Sequence, residues 1–186
     1  MNKRIKILAA GSIFFIATLL LTAQAISKTP TYSNKELGMR INAPPGWDMT
    51  EPEGKNTVYL FLFHKYRIGS TLVGANPGIV SSAKTTKEKT ALAAAGEVIN
   101  GIIKVFYIDA KIIEAPKPVV INGNQGVVFL SEMTVMHKKR TFRIKQQDYL
   151  FLKREMLIRL TAFCEPEQFE NNIKDFQASL DTLQLK

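Results

Sequence analysis

The chain is poor in the residues that do chemistry. It has one cysteine, Cys164, two histidines, His64 and His137, and one tryptophan, Trp47, in 186 residues. A lone cysteine excludes an intrachain disulfide. One thiol and two distant imidazoles fall short of the roughly four closely spaced ligands that zinc wants. No G-x-S-x-G elbow marks an acyl-transfer nucleophile. Gly69, Gly74 and Gly78 lack the lysine and following helix of a phosphate cradle. Asp and Glu total 16 against 25 Lys and Arg, and no carboxylate pair stands in a glycosidase-like setting. There is no internal repeat, no low-complexity tract and no linker long enough to separate a pair of domains. The sequence therefore calls for no metal and no cofactor, and it is read as a non-enzyme.

What is present begins with an export signature. Lys3, Arg4 and Lys6 precede a 15-residue apolar run, Ile7 to Leu21, interrupted only by Ser12 and Thr18. Ala23-Gln24-Ala25 then fits a signal-peptidase site, so residues 1–25 are read as a signal peptide and Ile26 opens the mature chain. No cysteine follows the run, which argues against a lipid anchor. The alternative is an uncleaved inner-membrane anchor, since extending the run to Ile26 gives 20 residues, about the span of a bilayer core. Removing the three cations lowers the formal charge from +9 to +6. A basic exported domain favours an anionic membrane surface or an acidic protein as partner. Nucleic acid fits poorly, because no recognition motif is present. About 160 residues bury enough surface to need no staple.

The folding signals concentrate between Lys117 and Phe163. Asn122-Gly123 between apolar runs is a strong hairpin signal, because both turn residues need positive φ. Strands are expected over Lys117–Ile121, Gln125–Met136, Thr141–Leu152 and Glu155–Phe163, an antiparallel meander. In the third of these, Phe142 and Ile144 face the core while Thr141, Arg143 and Lys145 face water. Earlier, Tyr32 opens a hairpin whose return strand carries Leu37, Met39 and Ile41 in alternation. Pro44-Pro45-Gly46-Trp47 ends it in a turn of type II. Trp47 is read as core in preference to a ligand-stacking ring. Val58–Lys65 reads as a strand covered on both faces, and Arg67–Val80 as another that loosens from Gly74 to Gly78. Thr85-x-x-Glu88 matches a capping box for a helix to Phe106, with Leu92, Ala95, Ile99, Ile102 and Phe106 on its inner stripe and Gly96 close to the sheet. Asp109–Glu114 follows as a strand, with Pro116 and Pro118 bracketing a break. Pro166 opens a last helix with Phe169, Ile173, Phe176 and Leu180 inside. The sum is an α+β chain: an αβα sandwich, mostly antiparallel, with a central and a C-terminal helix on the sheet.

Three local features resemble the PsbP-like family, whose αβα sandwich is shared with Mog-type Ran-binding proteins. They are Leu37-Gly-Met-Arg-Ile-Asn-Ala-Pro-Pro-Gly-Trp47, the hairpin Ile121-Asn-Gly-Asn-Gln-Gly126, and the closing helix Phe169 to Leu183. The resemblance spans residues 32–186, read as one PsbP-like domain. It implies a non-enzymatic accessory or partner-binding protein. Plant and cyanobacterial members dock on the lumenal side of photosystem II and help to retain calcium and chloride, but no residue here can be carried over as a photosystem contact.

The residues singled out for an outward role are His137, Lys138, Lys139 and Arg140 at a hairpin tip, extended by Arg143 and Lys145. They could meet anionic lipid or an acidic partner, or simply form a solvated turn that deters edge pairing. Cys164 is read as a small apolar residue closing a strand, the alternative being a reactive thiol. A second class of function, a small hydrolase, requires His64 or His137 within hydrogen-bond reach of a Ser, Thr or Cys side chain in a concave pocket.

Overall fold

The computed structural model describes residues 29–52, 59–65, 76–103, 108–137 and 140–186, with backbone alone at 102, 103, 108, 137 and 140. The signal-peptide residues lie outside the described range, as do Val58 of the first expected apolar strand, residues 67–75 of the next, and residues 104–106 of the expected helix.

Among the described residues two antiparallel sheets carry the chain. The larger has seven strands in the order β3–β4–β5–β9–β8–β7–β6: β3 Asp48–Thr50, β4 Phe61–His64, β5 Gly78–Thr85, β6 Ile108–Ile121, β7 Asn124–His137, β8 Arg140–Lys153 and β9 Met156–Cys164. The smaller is β1 Thr31–Asn34, β2 Met39–Asn42 and β10 Gln184–Leu185. The meander β6–β9 forms as the turn signals predict. Asn122 and Gly123 take φ of 50° and 76°, which the two-residue hairpin demands. At the Pro45-Gly46 turn, Gly46 takes φ 76° and the Trp47 amide donates to the Pro44 carbonyl at 3.1 Å.

Side-chain alternation divides the core in two. On one face Phe61, Phe63, Leu160, Tyr149, Phe151 and Val128 meet Tyr32, Ile41 and Trp47. The helix α2, Phe169–Leu180, seals this face through Phe169, Phe176 and Leu180, with Ile173 partly buried, as its periodicity predicts. On the other face Val127, Phe129, Met133, Ile144 and Leu150 lie under α1, Ala91–Glu97, and the π-helical turn Val98–Ile103. The molecule is thus an αβα sandwich built on a mostly antiparallel sheet.

Four local expectations are corrected. Thr85 is the last residue of β5, paired with Met156, and the cap is Thr90, whose hydroxyl accepts the Ala93 amide at 3.1 Å. The inner stripe of α1 is Ala94, Ala95 and Val98, so Leu92 faces outward, 52% exposed. Gly96 makes no close approach: a Cβ there would meet nothing within 4 Å. The expected break at Pro116 and Pro118 is instead continuous strand, because β6 is the sheet edge and absorbs register shifts at Ile112/Glu114 and Glu114/Lys117.

Candidate functional site

The basic hairpin end is formed by β7 and β8, whose register pairs His137 with Arg140 and Met136 with Thr141. Lys138 and Lys139 lie outside the described residues, as do the side chains of His137 and Arg140. Cover thins toward this end: Met133 is buried, Val135 half-buried and Met136 65% exposed. Arg143 projects into solvent, its guanidinium 3.5 Å from the Glu132 carboxylate. Lys145 does not join it. Its side chain is 18% exposed, 3.2 Å from Glu170 and 4.8 Å above the Phe169 ring. The reason is its register: Lys145 stands opposite Cys164, where the chain leaves the sheet and the start of α2 lands upon it. The expectation that Lys145 faces open water is therefore corrected.

Cys164, Tyr149, Trp47 and His64 each have a defined place, whereas the side chain of His137 lies outside the described residues. Cys164 is fully buried on the α2 face, and its thiol is pushed up to about 12 by burial first and by neighbouring Glu165 second. A thiol so held stays protonated at neutral pH, as a small apolar residue would be used. Tyr149, on the same face, is likewise raised to about 12 by burial and by Asp181. Trp47 is core: its ring meets Phe176 edge-on at 6.0 Å and its Nε1 donates to Asp175 at 3.3 Å. His64 is buried on the opposite face from Cys164, its Nε2 2.9 Å from the exposed Thr50 hydroxyl, with Asp48 opposite it in register.

The sequence reading missed a buried polar network on the α1 face. Asp148 is fully buried and accepts from Gln146 Nε2 at 2.7 Å, Arg159 Nε at 2.7 Å and the Thr161 hydroxyl at 2.5 Å. The available signal was Gln146-Gln147-Asp148 inside a strand, where such residues are depleted unless partnered. Three strand spacings, about 14 Å, separate β8 from β4, so Asp148 and His64 do not share one reaction centre.

At the turn end of β6 and β7 lies a groove of about 550 Å³, between the first turn of α1 and the hairpin. Leu92, Pro118, Val120, Val127 and Leu152 line it, with Lys89 at its wall. Among the described residues no cluster of His, Cys, Asp and Glu could hold a metal ion. No helix among them is long and apolar enough to cross a membrane.

No protein-family model and no curated protein matches the sequence. Solved structures do match. Cyanobacterial PsbP (CyanoP) from Synechocystis sp. PCC 6803 superposes with a TM-score of 0.61 at 12% identity, covering 88% of this chain and 96% of that one. The fold is PsbP-like. The PsbP-like sandwich is also matched by LpqN, a Mycobacterium tuberculosis protein involved in cell envelope biogenesis, at a TM-score of 0.55 and 9% identity, over 86% and 91% of the two chains. A Bacteroides thetaiotaomicron structure gives 0.52 at 10% identity, with 85% of this chain covering 48% of that one.

Proposed function

We propose that the chain is an exported, non-enzymatic accessory protein of the cell envelope that works by surface contacts with a protein or an anionic membrane. The observation that carries this reading is the far end of the β7–β8 hairpin, where among the described residues Met136 is 65% exposed and Arg143, 67% exposed, points outward three residues after Arg140. The PsbP-like fold and its likeness to an envelope-biogenesis protein support an accessory role in that compartment. Positive charge at an exposed end attracts anionic surfaces and steers acidic partners. The test changes Lys138, Lys139, Arg140 and Arg143 to Glu. Co-sedimentation with anionic vesicles and recovery of envelope partners are then compared with wild type. Unchanged results in both assays would remove this surface from the reading. Export is tested by sequencing the N-terminus of the protein from the envelope fraction: a start near Ile26 supports cleavage, and a start at Met1 supports the anchored alternative.

A second reading, a small hydrolase, draws on one contact, the 2.9 Å pair of Thr50 and His64. A hydroxyl beside an imidazole is the minimum for a nucleophile with its base. The check is turnover of p-nitrophenyl acetate by wild type, Thr50→Val and His64→Gln. Equal rates in all three would dismiss it.

A further inference from the structure

The groove at the turn end of the sheet lies at the far end of the 14-residue β7 from the basic turn, and nothing proposed above uses it. Two of its lining side chains are large, apolar and exposed: Leu92 at 52% and Val120 at 66%. Because both line one groove, they expose apolar surface together, and contiguous apolar surface of this kind marks an interaction site. The lining holds one cation, Lys89, and no acid, while Lys87 stands exposed two residues before it.

The backbone adds a directional element. In a two-residue hairpin the residues flanking the turn form a hydrogen-bonded pair, and such pairs alternate along the ladder. Ile121–Asn124 flanks the turn, so Val119–Gly126 is the next bonded pair. Val120 and Pro118 lie between and turn their backbone groups away from β7. β6 ends the strand order of the large sheet, so they turn toward an edge. Pro118 therefore costs no ladder bond, and among the described residues the edge presents the Val120 N–H and the carbonyls of Pro118 and Val120. The missing proline donor keeps any added pairing short.

We propose that this groove takes a short extended segment of a partner protein, apolar at alternate positions and flanked by acidic residues. The segment lies along β6 at Val120, its apolar side chains reach toward Leu92, and its acids face Lys89. Strand addition supplies the main-chain bonds and the groove supplies selectivity. Charge complementarity with Lys89 and the acid-free lining set the sign of the flanks.

The probe is a fluorescein-labelled peptide of alternating valine and threonine with aspartate at both ends, titrated against the full chain by anisotropy. Its counterpart has lysine at both ends. Wild type is expected to prefer the aspartate peptide. Lys89→Glu weakens it about tenfold, a change of about 1.4 kcal/mol, and reverses the preference. Leu92→Ser weakens both peptides, and Arg143→Glu, at the other end of the sheet, changes neither. Lys89 and Leu92 are exposed, so thermal melts of these variants should match wild type. The proposal is overturned if wild type ignores the aspartate peptide, if Lys89→Glu leaves the preference unchanged, or if Arg143→Glu abolishes binding. Anionic vesicles that compete with the peptide while Lys89→Glu leaves vesicle binding intact would overturn it too, by putting the site elsewhere.

Discussion

The two faces of the large sheet are covered in different ways. The α2 face is closed by a 12-residue helix carrying Phe169, Phe176 and Leu180, together with the small sheet, and its aromatic rings touch: Phe169–Phe176 at 5.7 Å, Phe61–Phe63 at 4.5 Å and Tyr32–Phe61 at 4.6 Å. Among the described residues the α1 face is covered by seven helical residues and a π-turn, which together bury Ala94, Ala95 and Val98. Small side chains bring a helix close but fill little width. Beside them the face keeps a buried charge network and an open groove. The larger covering side chains lie on one side of the sheet, and the polar network and the groove on the other.

That contrast can be broken by mutation. Phe176→Ala should cost about 4 kcal/mol in a denaturant melt, through lost transfer energy and a cavity that its ring neighbours cannot fill. Asp148→Asn should cost about 3 kcal/mol, because Arg159 is left with a weaker acceptor in a mostly buried site. If the second change proves the larger, the α1 face is the better guarded one.

Alkaline pH should act on the α2 face first. The Cys164 thiol rises from 9.0 to about 12 on folding and the Tyr149 hydroxyl from 10.0 to about 12, so in both the folded state holds its proton more tightly. Their contribution is intact below pH 9 and is lost as pH climbs from there toward 12. Melting temperature should be level to pH 9 and fall beyond it, and Cys164→Ala should delay the onset toward pH 10. Thr90→Ala should cost about 1 kcal/mol by removing the cap of α1. Leu92→Ser should leave stability within about 0.5 kcal/mol, since its side chain is half in water.

Legibility in the sequence followed the range of the interactions. The β6–β9 meander and α2 were legible because Asn122-Gly123 and the Phe169–Leu180 spacing act within a few residues. The first helix was misplaced because Thr85 and Thr90 offer the same local capping chemistry. Pairing of Thr85 with Met156, seventy-one positions away, decides between them. β5 itself, Gly-Ile-Val-Ser-Ser-Ala-Lys-Thr, carries few strand formers and is a strand because it fills the slot between β4 and β9. Prolines 116 and 118 read as a break until the strand that holds them becomes an edge. The candidate surfaces divide in the same way. The basic stretch His137–Arg140 is four consecutive polar residues in the sequence, whereas the groove joins residues 89–92, 118–120, 125–127 and 152, and the network joins 146 and 148 to 159 and 161.

By itself the sequence determined the local elements: the hairpin at Asn122, the turn at Gly46, the last helix and the basic charge, each set by backbone sterics or periodicity. Tertiary structure alone decided which element lies on which face, that Lys145 is covered by α2, and that Leu92 and Val120 share one groove. Those outcomes depend on cross-strand register and on how much width each helix covers, quantities that no short window of residues contains.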